Sequence, residues 1–280
     1  MKKIFALIAA AILLTVLCCS CGAPASTAKV KVIDIALSEE FYAFCVNKED
    51  ATLLAKVNEY LAQIKKDGTF DDICNNYFGD GTPNKFESAA EDASKDQLVV
   101  ATSTGFEPFE MVESGKYFGI DLEIAAGLAE YLGKELVIKD MQFEGVVTSV
   151  QQGICDIGMA GLSITPEREK VVTFSDSYYS ANQTLVVPAD CTEFDKCKTA
   201  ADVEAILNAK TADCKIGCQK GTTGGLYIAG DEGYGFPGLK ATKMEYDYAA
   251  LAMTAMINGE INYVIVDDAP ANAISKALNG

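Results

Sequence analysis

From Lys29 onward, short apolar runs alternate with stretches in which apolar residues recur every three or four positions. The runs KVKVIDI, FYAFCVN, QLVVAT, ELVIKDM, CDIGMAG, QTLVVP, CKIGC and NYVIVDD read as strands, being short and rich in β-branched residues. Helical periodicity predicts helices over residues 50–65, 121–132, 145–152, 199–208, 245–258 and 268–278. In the second of these, Leu122, Ala125, Ala129 and Leu132 form one apolar face and Asp121 stands as the N-cap. Strands alternating with helices predict an α/β fold with mainly parallel sheets. The stretch TFDDICNNYFGDG, from Thr69 to Gly81, reads as the last helix and loose end of a domain, yet it lies in the first third of the chain. Residues 79–95, GDGTPNKFESAAEDASK, carry almost no large apolar side chains and predict a flexible linker with a typical span of about 20–25 Å.

The first twenty residues follow a different pattern. Lys2 and Lys3 precede fourteen residues, Ile4 to Leu17, among which Thr15 alone is polar. That run is shorter than the roughly 20 residues a membrane-spanning helix needs and predicts a secretory signal. Cys21, between Ser20 and Gly22, resembles the acylated cysteine of a bacterial lipoprotein, with Cys18 and Cys19 as alternatives. Removing residues 1–20 leaves 21 basic against 40 acidic residues, a balance of −19. Such a surface repels phosphate backbones and excludes nucleic acid as a partner. The chain has no histidine, which excludes Ser–His and Cys–His nucleophile pairs and His-containing metal sites, and no cofactor is implied.

Beyond the leader and Cys21 there are seven cysteines, an odd number, with no close pair of the kind a four-cysteine metal cluster needs. Cys191 and Cys197 bracket a polar loop short enough to close as a disulfide. Cys214 and Cys218 in an extended strand would stand about 13 Å apart, too far to bond. Cys45, Cys74 and Cys155 have apolar neighbours and read as core.

Three short motifs carry chemistry. In AGLSITPERE, Thr165 reads as a helix N-cap, Pro166 suits the first helical position, and Arg168 follows in the first turn, where its guanidinium can hold a carboxylate through two hydrogen bonds. A surface salt bridge is the plainer role for such an arginine. QKGTTGG follows a strand and precedes a helix, so its backbone N–H groups can form an anion-binding turn. In VIVDDAP, Asp267 can cap the next helix, and Asp268 beside it carries a second carboxylate.

From Gln97 to Val187 the chain resembles the first half of the family 3 extracellular solute-binding proteins, the amino-acid receptors of ABC importers. The resemblance rests on VVATSTGFEPFE, GIDLEIAAGLAEYLG, MQFEGVVTSVQQG, AGLSITPERE and FSDSYYSANQTLVV, while IGCQKGTTGG and INYVIVDDAPA resemble the second lobe. It implies a two-lobed, type II periplasmic-binding-protein-like fold, two Rossmann-like lobes joined by two hinge strands. In that family the helix after DDAPA is followed by a strand, a return crossing and a terminal helical segment ending in an aromatic residue and glycine. Here those features stand in residues 29–78, which implies a circular permutation. The implied organisation is a signal over 1–20, a tether over 21–28, a second lobe of 29–40 and 187–280, a first lobe of 41–78 and 95–186, and a joint over 79–95. Crossings near Leu37–Val46 and Gln183–Pro188 would form the hinge, and a domain-swapped dimer is the alternative to a permuted monomer.

Carried over to matching positions, the resemblance gives Arg168, Ser163, the backbone around Gly161 and Ser163, and Thr223 to a ligand carboxylate. It gives Gln219 to the pocket lining, Asp268 to the ammonium group, and Phe106 and Phe143 to a sandwich about the side chain. Ser103 replaces an aspartate that commonly contacts a polar or basic side chain, which leans towards a polar or neutral amino acid. The implied function is an extracytoplasmic, non-catalytic receptor, periplasmic or lipid-anchored to the outer face of the cytoplasmic membrane, that delivers a free amino acid to an ABC importer permease. An enzyme resembling cyclohexadienyl dehydratase, with Glu107 or Asp267 as its acid, and a sensor module are the alternatives on this fold.

Overall fold

The structure is a computed structural model describing residues 28–280; the leader and the acylation candidates Cys18, Cys19 and Cys21 lie outside the described residues. The described chain begins with three short strands, β1 (Val30–Ile33), β2 (Glu40–Tyr42) and β3 (Cys45–Asn47), and two helices, α1 (Ala51–Asp67) and α2 (Thr69–Phe78). Next come β4 (Gln97–Thr102), the hairpin β5 (Met111–Glu113) and β6 (Lys116–Phe118), α3 (Ile120–Leu132), β7 (Glu135–Asp140) and α4 (Phe143–Gln151). They lead to β8 (Ile157–Gly158), α5 (Pro166–Glu169), β9 (Val172–Phe174), β10 (Tyr179–Ala181), β11 (Gln183–Pro188), α6 (Ala200–Asn208) and β12 (Lys215–Gln219). The last elements are α7 (Thr223–Ala229), β13 (Thr242–Tyr246), α8 (Ala249–Ile257), β14 (Tyr263–Asp267) and α9 (Asp268–Asn279).

Two five-stranded sheets define two lobes. The first has the order β7-β4-β8-β3-β9 and the second β1-β11-β14-β12-β13. Both are mixed rather than mainly parallel. β4 runs parallel to β7 and β8, as helical crossovers require, but β3 lies antiparallel between β8 and β9. In the second lobe β12 runs parallel to β13 and β14, while β11 is antiparallel to β1 and β14. The antiparallel members β1 and β3 come from the first twenty described residues, which feed one strand into each lobe.

Between them runs β2, paired with β10 in a separate two-stranded ribbon, Glu40 opposite Ala181 and Tyr42 opposite Tyr179. FYAFCVN is therefore not one strand: it leaves the ribbon at Tyr42 and joins the first sheet at Cys45. The other crossing, Gln183–Pro188, lies wholly within the second sheet, and the chain changes lobe just before it, at β10.

α1 starts at Asp50, whose side chain accepts from Leu53 N at 2.8 Å, and buries Val57, Tyr60, Leu61 and Ile64, a single face at helical spacing. This face meets α3 at Gly127, where a Cβ would fall 1.9 Å from the Tyr60 hydroxyl, so glycine is what lets the two helices approach. α3 is flanked by Gly119, not capped by Asp121, which is buried instead. The joint over 79–95 is docked rather than free. Phe86 exchanges backbone hydrogen bonds with Tyr117 at 2.7 and 3.0 Å, Ala89 N donates to Leu136 O at 2.9 Å, and Ser88 Oγ accepts from Ile138 N at 2.8 Å.

Cys191 and Cys197 are free thiols, not a disulfide. Both are partly buried and pack against the second-lobe core. At the other extremity, Asn279 closes on the start of the described chain: its Oδ1 accepts from Lys29 N at 2.7 Å and from Val30 N at 3.1 Å.

Candidate functional site

Strand ends and helix starts of both lobes converge on the interlobe cleft. Thr165 accepts from Arg168 N at 3.2 Å and Pro166 takes the first helical position, as the motif predicts. This turn delivers the Arg168 guanidinium to the cleft, 5.2 Å from the centre of the Phe143 ring. One Nη donates to Ser163 O at 2.7 Å and the other to Gly221 O at 3.1 Å, so the side chain spans both lobes. Gly221 has φ +76°, and a Cβ there would lie 3.2 Å from that of Glu144, which is why the QKGTTGG turn needs glycine. Lys220 and Glu144 pair across the same gap at 2.9 Å.

The hydroxyls of Ser163 and Thr223 converge on one atom, Oε2 of Glu40, at 2.6 and 2.7 Å. Thr223 Oγ1 also accepts from Gln183 Nε2 at 3.1 Å. Glu40 is completely buried on β2, a residue that motif reading passed over. The signal was the alternation of the hinge strand, where Glu40 and Tyr42 face inward and Phe41 outward.

Neither of the two adjacent aspartates caps α9 through its side chain. Asp267 is the last residue of β14 and makes no capping bond to α9; it is 4 % exposed, with Oδ1 unpartnered. Asp268, the first residue of α9, is partly exposed and accepts from Asn182 Nδ2 at 3.0 Å. Asp268 Oδ1 likewise has no hydrogen-bond partner among the described residues, so each aspartate keeps one oxygen for a donor.

Gly161 also differs from expectation. Its N–H donates to Asp121 Oδ2 at 2.8 Å, and Tyr178 donates to the other oxygen of that carboxylate at 2.5 Å. Gly161 instead makes room for Phe106, whose ring would lie 2.9 Å from an added Cβ. Phe106 and Phe143 are both buried, but Phe143 carries the Arg168 guanidinium. Ser103 Oγ and Gln219 Oε1 are buried without partners among the described residues. Glu107 is half-buried and lines an outer groove with Lys85, Thr104 and Tyr248.

Glu110 was also passed over, within the quoted motif TGFEPFE. It has no exposed surface and neither oxygen has a hydrogen-bond partner among the described residues. Burial first, then Asp121, Asp140 and Asp267, push its carboxyl well above the usual range. Burial and neighbouring Glu40 push Asp267 up to about 8, and burial pushes Asp121 up to about 7.

These shifts set a pH dependence. With raised pKa values the folded chain binds more protons than the unfolded chain from about pH 4 upward. The resulting stability is complete below that pH and is lost as pH rises towards 7 and 8. Without added amino acid, Tm should fall between pH 5 and pH 8, and Asp267→Asn should flatten the fall. A wild-type Tm that rises over this range would contradict the assignment.

Comparison with known proteins places this geometry in context. Residues 98–273 match the family model for bacterial extracellular solute-binding proteins, family 3. The arginine-binding extracellular protein ArtP of Bacillus subtilis is 36% identical over 103 residues, covering 37% of this chain and 40% of that protein. The ABC transporter arginine-binding protein 1 of Escherichia coli is 27% identical over 181 residues, 64% of this chain and 67% of its own. The chain thus spans from two fifths to two thirds of these relatives. The crystal structure of an ancestral amino-acid-binding protein, a precursor of cyclohexadienyl dehydratase, superposes with TM-score 0.55 at 32% identity, covering 65% of this chain and 74% of that one.

Proposed function

The chain belongs to the family 3 bacterial extracellular solute-binding proteins, and from that premise we propose that it is the receptor of an ABC importer for a free amino acid with a cationic side chain. The observation carrying the side-chain assignment is Glu110, a fully buried carboxyl with both oxygens unpartnered among the described residues. A guanidinium or ammonium group would supply the missing donors and offset the charge that burial penalises. The lean towards a neutral ligand rested on Ser103; an acid seven residues further on restores what that position lacks. Arg168, Ser163 and Thr223 would take the ligand carboxylate, Asp267 the ammonium group, and Phe106 one apolar wall. The arginine-binding relatives support the same reading.

The chain order is read as a circular permutation. Residues 30–47 supply a strand to each sheet, the family match begins only at Leu98, and Asn279 sits against Lys29. Cys21 is the proposed acylation site, which would hold the receptor at the outer face of the cytoplasmic membrane.

A thermal-shift panel of the twenty amino acids should give the largest stabilisation with arginine or lysine. Glu110→Gln should weaken that ligand at least about tenfold while changing glutamine binding by less than about threefold, since a charge-assisted hydrogen bond contributes about 1.5–3 kcal/mol. No stabilisation by any amino acid would remove the receptor reading. A second reading has the same residue in its favour: a carboxyl kept protonated by burial suits the general acid of a dehydratase. Incubation with prephenate or arogenate should give no turnover; turnover abolished by Glu110→Gln would establish that reading instead.

A further inference from the structure

Glu40 stands in the place that the proposed function gives to the ligand's carboxylate. Oε2 takes the hydroxyls of Ser163 from the first lobe and Thr223 from the second, and Oε1 accepts from Ser38 Oγ at 2.9 Å. Three hydroxyl donors around one buried carboxylate is the arrangement a free amino acid would need, and two of the three belong to the motifs assigned to the ligand. Ser163 is bridged to Tyr42 on the hinge strand itself, whereas Thr223 opens α7 in the second lobe, so Glu40 reaches from its own strand's neighbourhood across the cleft. The position also sets Glu40 beside a second buried acid, Asp267.

We propose that Glu40 is an internal competitor for the carboxylate subsite: its side chain holds Ser163 and Thr223 together across the lobes, and an incoming amino acid binds by displacing it. The inference rests on the amino-acid-receptor reading of the site. It assigns Glu40 a part in selectivity, because ligands with a carboxylate compete with it directly and ligands without one do not. It also makes Glu40 a tie between the lobes, carried by the hinge strand itself.

The test compares the wild-type chain with Glu40→Ala by calorimetric titration of L-arginine and of agmatine, its decarboxylated analogue. Removing Glu40 also relieves Asp267 of a neighbouring charge, which would improve the binding of either amine. Competition is therefore read from the ratio: the arginine-to-agmatine affinity ratio should rise about tenfold or more in the variant, equivalent to about 1.4 kcal/mol. Equal gains for both compounds, or no gain for arginine, would overturn the proposal. Should Glu40→Ala not fold, Glu40→Gln, whose amide oxygen still accepts from both hydroxyls, should move the ratio in the same direction by a smaller factor; an unchanged ratio would overturn the proposal. Small-angle scattering without any amino acid separates this inference from the functional reading. If neither protein binds an amino acid, the receptor reading fails; a larger radius of gyration in Glu40→Ala would then uphold the interlobe tie, and an unchanged one would overturn it.

Discussion

Arg168→Ala should leave the chain folded and weaken amino-acid binding by at least about a hundredfold. The guanidinium can offer two charge-assisted hydrogen bonds to a carboxylate, each worth about 1.5–3 kcal/mol, and a hundredfold loss requires only about 2.7 kcal/mol. The side chain is only partly buried, so truncation leaves no sealed cavity, although Ser163 O and Gly221 O each lose a donor. Arg168→Lys keeps the charge without the planar fork and the stacking on Phe143, and should recover only a small part of the loss. Calorimetric titration, with circular dichroism to confirm the fold, measures this. Binding within fivefold of wild type in Arg168→Ala would place the carboxylate subsite elsewhere.

Excising residues 29–78 should abolish cooperative unfolding altogether, and placing the same segment after Gly280 should restore it. The segment contributes Val30, Tyr42, Phe44, Val46, Val57, Leu61 and Ile64 to the largest buried cluster. At about 1.5–3 kcal/mol for each large apolar side chain, the loss is about 10–21 kcal/mol, comparable to or larger than the roughly 5–15 kcal/mol by which a domain is ordinarily stable. Excision also removes β3 from between β8 and β9 and β1 from beside β11, leaving sheet edges open. In the reordered chain, starting at residue 95, the new junction joins Gly280 to Lys29, next to the contact between Asn279 and Lys29, so a short linker suffices. That chain should melt cooperatively and bind arginine within about threefold of wild type. A cooperative transition in the excised chain would show that residues 29–78 are not part of the fold, and a dimeric mass for the wild type would favour segment exchange between copies.

The motifs made the lobes, the α5 turn and most central strands legible, because strand burial and helix capping are local. What escaped was decided by tertiary contacts. Of TKMEY, Glu245 and Tyr246 fell in the helix expected to follow and the first three residues in no element, and it is the parallel pairing of β13 with β12 that makes it a strand. Asp267 and Asp268 are interchangeable as letters; the boundary between β14 and α9 leaves the first buried and the second partly exposed. Glu110 was hidden inside a motif valued for its phenylalanines, and Glu40 in a stretch read for its hydrophobic pattern alone. Both are acids at inward positions of apolar segments, a feature that alternation exposes and that only the folded partners can interpret. Mixed sheets were missed because β1 and β3 arrive through the hinge and not through helical crossovers.

The docked joint has a consequence for self-association. β7 is the outermost strand of the first sheet, and such a strand ordinarily presents unpaired amide and carbonyl groups to other molecules. Ala89 and Ser88 bond to Leu136 and Ile138 along that margin, so the docked stretch shields the sheet from adding a strand of another copy.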